Sequence, residues 1–322
     1  MPPQNPETEY RARTARQLSR RSILGAAITG VAGIAAGCST AGPPLAAQAN
    51  PPSVDPALQA AGDDLARAEQ RFVGRLGVCV VDTGSGVQVS HRPDERFLLC
   101  STGKVLTVAA IQRMAAAQPD LLDRTIHFRA SDVLEWAPAT SQHLRDGMTV
   151  AQLCDAAITV SDNTAANLLV GLLGGPAAVT AFARSLGDQV TRVDRLEPDL
   201  NVTSPGDPRD TSTPAQMATN LRSLLLGSAL PSAGRDRLTD WMRRNTTGAQ
   251  AIRAGVPSDW TVADKTGTGA QGERNDVAVV WPPGRAPLII AIYTAPDDQA
   301  NPSGQAIIAE AARIATSALI HR

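Results

Sequence analysis

Two of the chain's 30 basic residues are lysine, and each stands among hydroxyl side chains and glycine: Ser101-Thr102-Gly103-Lys104 and Lys265-Thr266-Gly267-Thr268-Gly269. Arginine serves surface charge as well as lysine. Only lysine, however, offers a compact ammonium that gives up its proton when desolvated or set beside another cation. Residues three apart share a helical face, so Lys104 is expected to approach the Ser101 hydroxyl, a weak nucleophile unless a base is near. Ser101 also opens a helix, where unpaired backbone N–H groups favour developing negative charge. Taken alone, the same serine reads as an ordinary helix cap.

The elements that must hold these groups follow from the hydrophobic pattern. "ALQAAGDDLARAEQRF" has helical spacing, with Ser53 as candidate cap and Pro56 in the first turn. "RLGVCVVD", the turn "TGSG" and "VQVSHR" read as a hairpin, and "STGKVLTVAAIQRMAAA" as a helix apolar nearly all round, hence buried. Gly174-Gly175-Pro176 stops a helix that begins near Asn163, and residues 191–214 form a long polar loop without a period. Strand character returns in "TVADKTG", "NDVAVVWP" and "PLIIAIYTA" before a closing helix. Strands at both ends with helices between predict an α+β fold: an antiparallel sheet flanked by helices, with an inserted all-helical domain. The α/β domain is expected over 55–99 and 246–322, and the helical domain, loop 191–214 included, over 100–245.

Bulk composition excludes several classes. With 322 residues, 43% of them hydrophobic, the chain can bury a large core. A net charge of −1 and 3% aromatics advertise neither a basic face nor stacking platforms, so no nucleic-acid partner is expected. His91, His127, His143 and His321 are too scattered for zinc spacing, and no metal or organic cofactor is implied. Cys79, Cys100 and Cys154 lack CxxC spacing and are expected as buried thiols.

The first 38 residues read as an address rather than as fold. Arg20-Arg21 in "SRRSIL" precede a weakly apolar Ala/Gly stretch and resemble a twin-arginine export signal. "AAGC" at Ala35–Cys38 resembles a lipoprotein box, making Cys38 a lipidation candidate; "AQA" at Ala47–Ala49 is the alternative cleavage site. Export across the cytoplasmic membrane through the twin-arginine machinery is expected, to the periplasm or envelope, lipid-anchored or secreted. Residues 39–54 are then a linker.

Ser101-x-x-Lys104, Ser161-Asp162-Asn163, Glu197-Pro-Asp-Leu-Asn201 and Lys265-Thr266-Gly267 occur in that order. With "RDTSTP" and "DKTGTG" they resemble the class A serine β-lactamases over nearly all of residues 55–320. The resemblance implies a monomeric enzyme that hydrolyses the amide of penicillins and some cephalosporins through an acyl-enzyme on Ser101. It implies an oxyanion hole from the backbone N–H groups of Ser101 and Thr268, and proton delivery to the departing nitrogen by Ser161, supported by Lys265. Asn163 would hold the substrate's side-chain amide and orient Lys104. Glu197 and Asn201, four apart, would hold a water against the ester; by itself Glu197 reads as a solvated loop carboxylate.

Lys265, Thr266, Gly267 and Thr268 are implied around the substrate carboxylate, joined by Arg274, since Ala251 stands at the alternative guanidinium position. Trp136 is implied at the cleft entrance, and Arg195 with Asp210 as the ion pair closing the long loop. Gly269 and Val108 stand where some members place disulfide partners for Cys100 and Cys154, so neither bridge is expected. The rival readings are a cell-wall DD-peptidase or penicillin-binding protein of the same fold, and a catalytically silent peptidoglycan-binding lipoprotein.

Overall fold

A computed structural model describes residues 55–301 and 303–320; the export segment, Cys38, the 39–54 linker and Ser53 lie outside the described residues. Helix α1 (Pro56–Phe72) is capped by Asp55, whose carboxylate accepts the Ala57 N–H at 2.8 Å, with Pro56 at the first position. The cap is therefore Asp55 and not Ser53. Proline's fixed φ starts the helix at residue 56 and gives the cap to its immediate neighbour. Ala61, Leu65, Ala68 and Phe72 form the buried stripe of α1.

Strands β1 (Gly74–Asp82) and β2 (Gln88–His91) make the first hairpin. At the far end of the sequence, β3 (Thr261–Thr268), β4 (Arg274–Trp281) and β5 (Leu288–Pro296) follow one another in antiparallel register. The two groups join into one five-stranded sheet because β5 pairs antiparallel with β1, Val78 opposite Ile292. Strand β3, which carries Lys265, thus becomes an edge of the sheet, open to whatever lies beside it.

Alternation along the strands serves two cores. Leu76, Val78, Val80, Ile290 and Ile292 face α1 and the C-terminal helix (Gly304–Ile320). Cys79, Val277, Val279, Ala291 and Tyr293 face a second core built around α2 (Lys104–Ala117). With both faces covered, the strands read as apolar runs rather than as strict alternation. Every residue of α2 from Lys104 to Gln112 is buried, as its all-round apolar sequence predicts. Burying a side chain such as Leu106 or Ile111 contributes about 1.5–3 kcal/mol, so α2 is a rigid post for the group at its start.

Around that post lie α3 (Val150–Thr159), α4 (Asn163–Leu173), α5 (Pro176–Ser185), α6 (Pro214–Leu221) and α7 (Ser232–Arg243). The short α8 (Ile252–Gly255) then leads toward the edge strand, and α9 is the C-terminal helix Gly304–Ile320. Helix α4 ends at Gly174, left-handed with φ 100°, a conformation that glycine adopts without steric cost. The long loop contains a single 3₁₀ turn, Asp199–Asn201, and returns to the body where Thr211–Ser212 pair with Phe97–Leu98. The architecture is α+β, as strands at both chain ends predict.

Candidate active site

Ser101 lies in a 3₁₀ turn, Cys100–Gly103, that runs directly into α2. Cys100 before it is left-handed, φ 48°, which turns the chain sharply and presents Ser101 to the edge strand. Gly267 permits that approach: a Cβ there would stand 3.0 Å from Cys100 Cβ and 3.2 Å from the Ser101 nitrogen. The Ser101 hydroxyl donates to Glu197 Oε1 at 3.3 Å.

Lys104 is 4% exposed and is surrounded by acceptors: Asn163 Oδ1 at 2.6 Å, the Ser161 carbonyl at 2.8 Å, Glu197 Oε1 at 3.1 Å and Ser161 Oγ at 3.3 Å. It makes no hydrogen bond to Ser101 among the described residues, although their spacing predicts an approach. The reason is competition, since four acceptors brought by other elements, the Ser161 hydroxyl among them, already share its three protons. Burial pushes the Lys104 ammonium below its ordinary pKa, and the Glu197 carboxylate opposes that shift.

Lys265 is fully buried and donates to Ser161 Oγ at 3.0 Å and to the Thr266 carbonyl at 2.7 Å. Burial, with the Lys104 charge acting in the same direction, pushes its pKa down to about 7. Ser161 itself is left-handed, φ 57°, in the sharp turn before α4. Asp162, the middle residue of its triplet, is the cap of α4 and accepts the Ala165, Thr140 and Ala139 N–H groups.

Glu197 is 4% exposed, and Asn201 Nδ2 donates to its Oε2. Asn201 Oδ1 is buried and accepts no hydrogen bond from the described residues. The Glu197 backbone is held in both directions by one side chain: Asn167 Oδ1 accepts its N–H at 2.9 Å, and Asn167 Nδ2 donates to its carbonyl at 2.8 Å. The loop neck is closed by Arg195 Nε on Asp210 Oδ2 at 2.6 Å, with Asp210 1% exposed. Asp210 Oδ1 accepts the Asp194 and Arg195 N–H groups as well.

Part of this set borders a cavity of about 520 Å³. Ser101, Ser161, Asn163 and Asn201 line it, with Thr266, Gly267 and Thr268 of β3, Arg274 of β4, and Trp136. Trp136 is 55% exposed and anchored by Nε1 to the Val160 carbonyl at 3.1 Å. Arg274 donates to the Glu273 carbonyl at 2.8 Å and lines the cavity beside Ala251, the two positions compared in the sequence. Lys265 is not among the lining residues; it meets the wall through its hydrogen bonds to Ser161 Oγ and the Thr266 carbonyl.

The three described cysteines are unpaired and buried, and burial holds the Cys100 thiol well above its ordinary pKa. Position 269 is glycine and offers Cys100 no thiol, and a Cβ there would fall 2.2 Å from Glu273 Oε2.

Sequence reasoning missed Asn167, Asp162 and Asn275. Asn167 carried a signal, being one helical turn beyond Asn163 on the same face. Asp162 carried another, an acidic residue directly before a helical run. The walls supplied by Gln305 and Ile308 of α9 had none, because only the assembled sheet brings that helix to the cavity.

A model of the Beta-lactamase enzyme family matches residues 60–319. The chain is 48% identical over 271 residues to a β-lactamase of Amycolatopsis lactamdurans, covering 84% of this chain and 87% of that one. It is 46% identical over 307 residues to β-lactamase AST-1 of Nocardia asteroides, covering 94% and 97%. The solved class A β-lactamase from Mycobacterium abscessus superposes with a TM-score of 0.77 at 57% identity, over 79% of this chain and 97% of that one.

Proposed function

The chain belongs to the class A serine β-lactamases, which makes it a β-lactam hydrolase conferring antibiotic resistance, and we propose how its residues divide the work. Ser101 Oγ attacks the lactam carbonyl carbon and passes its proton to Glu197 Oε1. Negative charge on the carbonyl oxygen falls to the backbone N–H groups of Ser101 and Thr268; such donors are worth about 3–4 kcal/mol each. As the C–N bond breaks, its electron pair stays on nitrogen, which takes the Ser161 hydroxyl proton. Lys104 reprotonates Ser161 and is itself recharged from Glu197. That relay needs no movement beyond hydrogen-bond distance: 3.3 Å from Ser101 Oγ to Glu197 Oε1, 3.1 Å on to Lys104 Nζ, 3.3 Å on to Ser161 Oγ.

Glu197 is then a carboxylate again and takes a proton from a water seated on Asn201 Oδ1. The hydroxide attacks the ester carbonyl, and Ser101 leaves with the proton that Glu197 returns. The observation that carries this reading is the double engagement of Glu197, Oε1 on the nucleophile and Oε2 on Asn201. Arg274 and Thr268 receive the carboxylate of penicillins and of some cephalosporins, and Trp136 walls the entrance. All of these groups come from one chain, so the proposed chemistry needs no residue from a second copy.

The test is turnover of a chromogenic cephalosporin by wild type, against accumulation of a Ser101 adduct in Glu197→Ala, read by intact mass. A stoichiometric burst from wild type would favour a penicillin-binding protein; no adduct at all would favour a binding lipoprotein. The arginine pair before an apolar stretch supports export through the twin-arginine route, and Cys38 supports a lipid anchor. Replacing Arg20 and Arg21 by lysine should leave the activity in the cytoplasm, and full export of that variant would refute the route.

A further inference from the structure

Four residues stand in one row across the sheet: Gly77 opposite Tyr293, Tyr293 opposite Asn275, and Asn275 opposite Gly267. Each meets the segment Phe97–Thr102 that delivers the nucleophile. The outer two do so by lacking a side chain. A Cβ at Gly77 would lie 2.4 Å from the Phe97 ring, and one at Gly267 3.1 Å from the Leu99 carbonyl. The inner two do so by hydrogen bonds. Asn275 Nδ2 donates to the Leu98 carbonyl at 2.8 Å and to the Leu99 carbonyl at 3.3 Å, while its Oδ1 accepts the Thr294 N–H at 3.2 Å. The Thr102 hydroxyl gives its proton to the Leu99 carbonyl at 2.6 Å, so the contact of 3.2 Å with Tyr293 is a bond donated by the phenol.

The segment so gripped contains Cys100, a non-glycine residue in the left-handed region, and such strain persists only where the surroundings over-determine it. Asn275 is 1% exposed on a sheet face otherwise given to apolar packing. A buried amide there is costly unless its bonds are all made, and both of its donated bonds go to the two carbonyls preceding Cys100.

We propose that Asn275 is a positioning residue for the nucleophile, locking the Leu98–Cys100 backbone so that the Ser101 hydroxyl and N–H point into the cavity, with Tyr293 as its partner in the row. This rests on Ser101 being the acylated residue. The amide acts through the backbone of residues 98–100, and its effect appears where Ser101 geometry matters: in acylation and in any tetrahedral adduct on Ser101.

The experiment compares wild type, the near-isosteric Asn275→Leu, the donor-less Asn275→Asp and Tyr293→Phe, each shown folded by thermal melt. Acylation is followed by stopped flow with a chromogenic cephalosporin, and tetrahedral binding by the inhibition constant of an arylboronic acid. Ground-state affinity is measured with intact benzylpenicillin in a Ser101→Ala background. Both Asn275 variants should lose about 10²-fold in acylation and in boronate affinity, the scale of an ångström misplacement or one lost oxyanion donor. Ground-state affinity should stay within about threefold. Tyr293→Phe, which keeps the ring and the packing, should lose about tenfold in the same two measurements and decides the matter if the Asn275 variants do not fold. Acylation and boronate affinity near wild type, or ground-state affinity falling in parallel, would overturn the proposal. A wild type that no β-lactam acylates would overturn the nucleophile assignment itself.

Discussion

Lys104 and Lys265 bring their ammonium groups to the same oxygen: Ser161 Oγ lies 3.3 Å from the first and 3.0 Å from the second. Two buried cations converging on one hydroxyl repel, and Glu197 compensates Lys104 directly, with Oε1 at 3.1 Å. Lys265 therefore carries the larger penalty, and its pKa falls to about 7.

The consequence for rate is a basic limb. Protonated Lys265 donates to Ser161 Oγ and keeps a positive charge beside the hydroxyl that serves the departing nitrogen, so kcat/KM should fall as pH rises through about 7. Lys265→Arg, which stays charged, should flatten that limb while costing about tenfold at pH 6 through its bulk. A pH–rate profile of the two proteins checks this; identical limbs would remove Lys265 as their source. The sign for stability is opposite. An unfolded lysine titrates at about 10.4, so from about 7 up to that value the unfolded chain binds the extra proton and the fold gains stability as pH rises. Melts of wild type minus Lys265→Met should show that rise, and a flat difference would contradict the burial argument.

Asn201 should separate the two chemical steps. Its Nδ2 fixes Glu197 Oε2, and its Oδ1 is a buried acceptor with no donor among the described residues. Asn201→Leu should leave acylation within about threefold and slow ester hydrolysis by about 10²-fold, within the range of general-base catalysis. Mass spectrometry during turnover should then find acylated enzyme as the dominant species. Equal slowing of both steps would mean that Asn201 merely supports the loop.

The motif order made most of this site legible, because each motif sits at the end of an element whose period is also visible. Ser101 precedes a helix, Asn163 follows a cap, and Lys265 lies on a strand. Contacts that depend on how elements dock were not legible. Spacing alone puts Lys104 near Ser101, but Ser161, Asn163 and Glu197 arrive from elsewhere and take its protons. Asn275 gave no signal, since nothing in "NDVAVVW" says that its amide faces the carbonyls of residues 98 and 99. In the long loop the Glu197–Asn201 turn was legible from a four-residue spacing; for Asn167 the helical spacing from Asn163 gave the face, but not that Glu197 would be the group it holds.

The loop neck should couple stability to hydrolysis. Arg195 is 21% exposed at its side chain and Asp210 is 1% exposed, so Arg195→Leu strands a buried carboxylate with only two backbone partners. Discounted for the exposed half of the pair, the loss should be about 2 kcal/mol in denaturant unfolding. Glu197 is two residues along the chain, so hydrolysis of the ester should slow more than its formation. Unchanged deacylation in a destabilised variant would show that Asn167 alone suffices to hold Glu197.

Arg274 owes its place to a glycine on another element. A Cβ at Gly304, in the first turn of α9, would lie 2.4 Å from Arg274 Cγ and 2.9 Å from its Cβ, too close to the stem for a small rotation to relieve. Arg274→Leu removes the guanidinium that lines the cavity and should raise KM for penicillins about 30-fold with kcat changed by less than about threefold, the loss of one charge-assisted contact. Gly304→Ala keeps the guanidinium but displaces it, and should raise KM by about fivefold in the same direction. Once Arg274 is gone the added methyl has nothing to displace, so Gly304→Ala in the Arg274→Leu background should change KM little. Strict additivity of the two effects would mean that they act independently, and that Gly304 serves only the packing of α9.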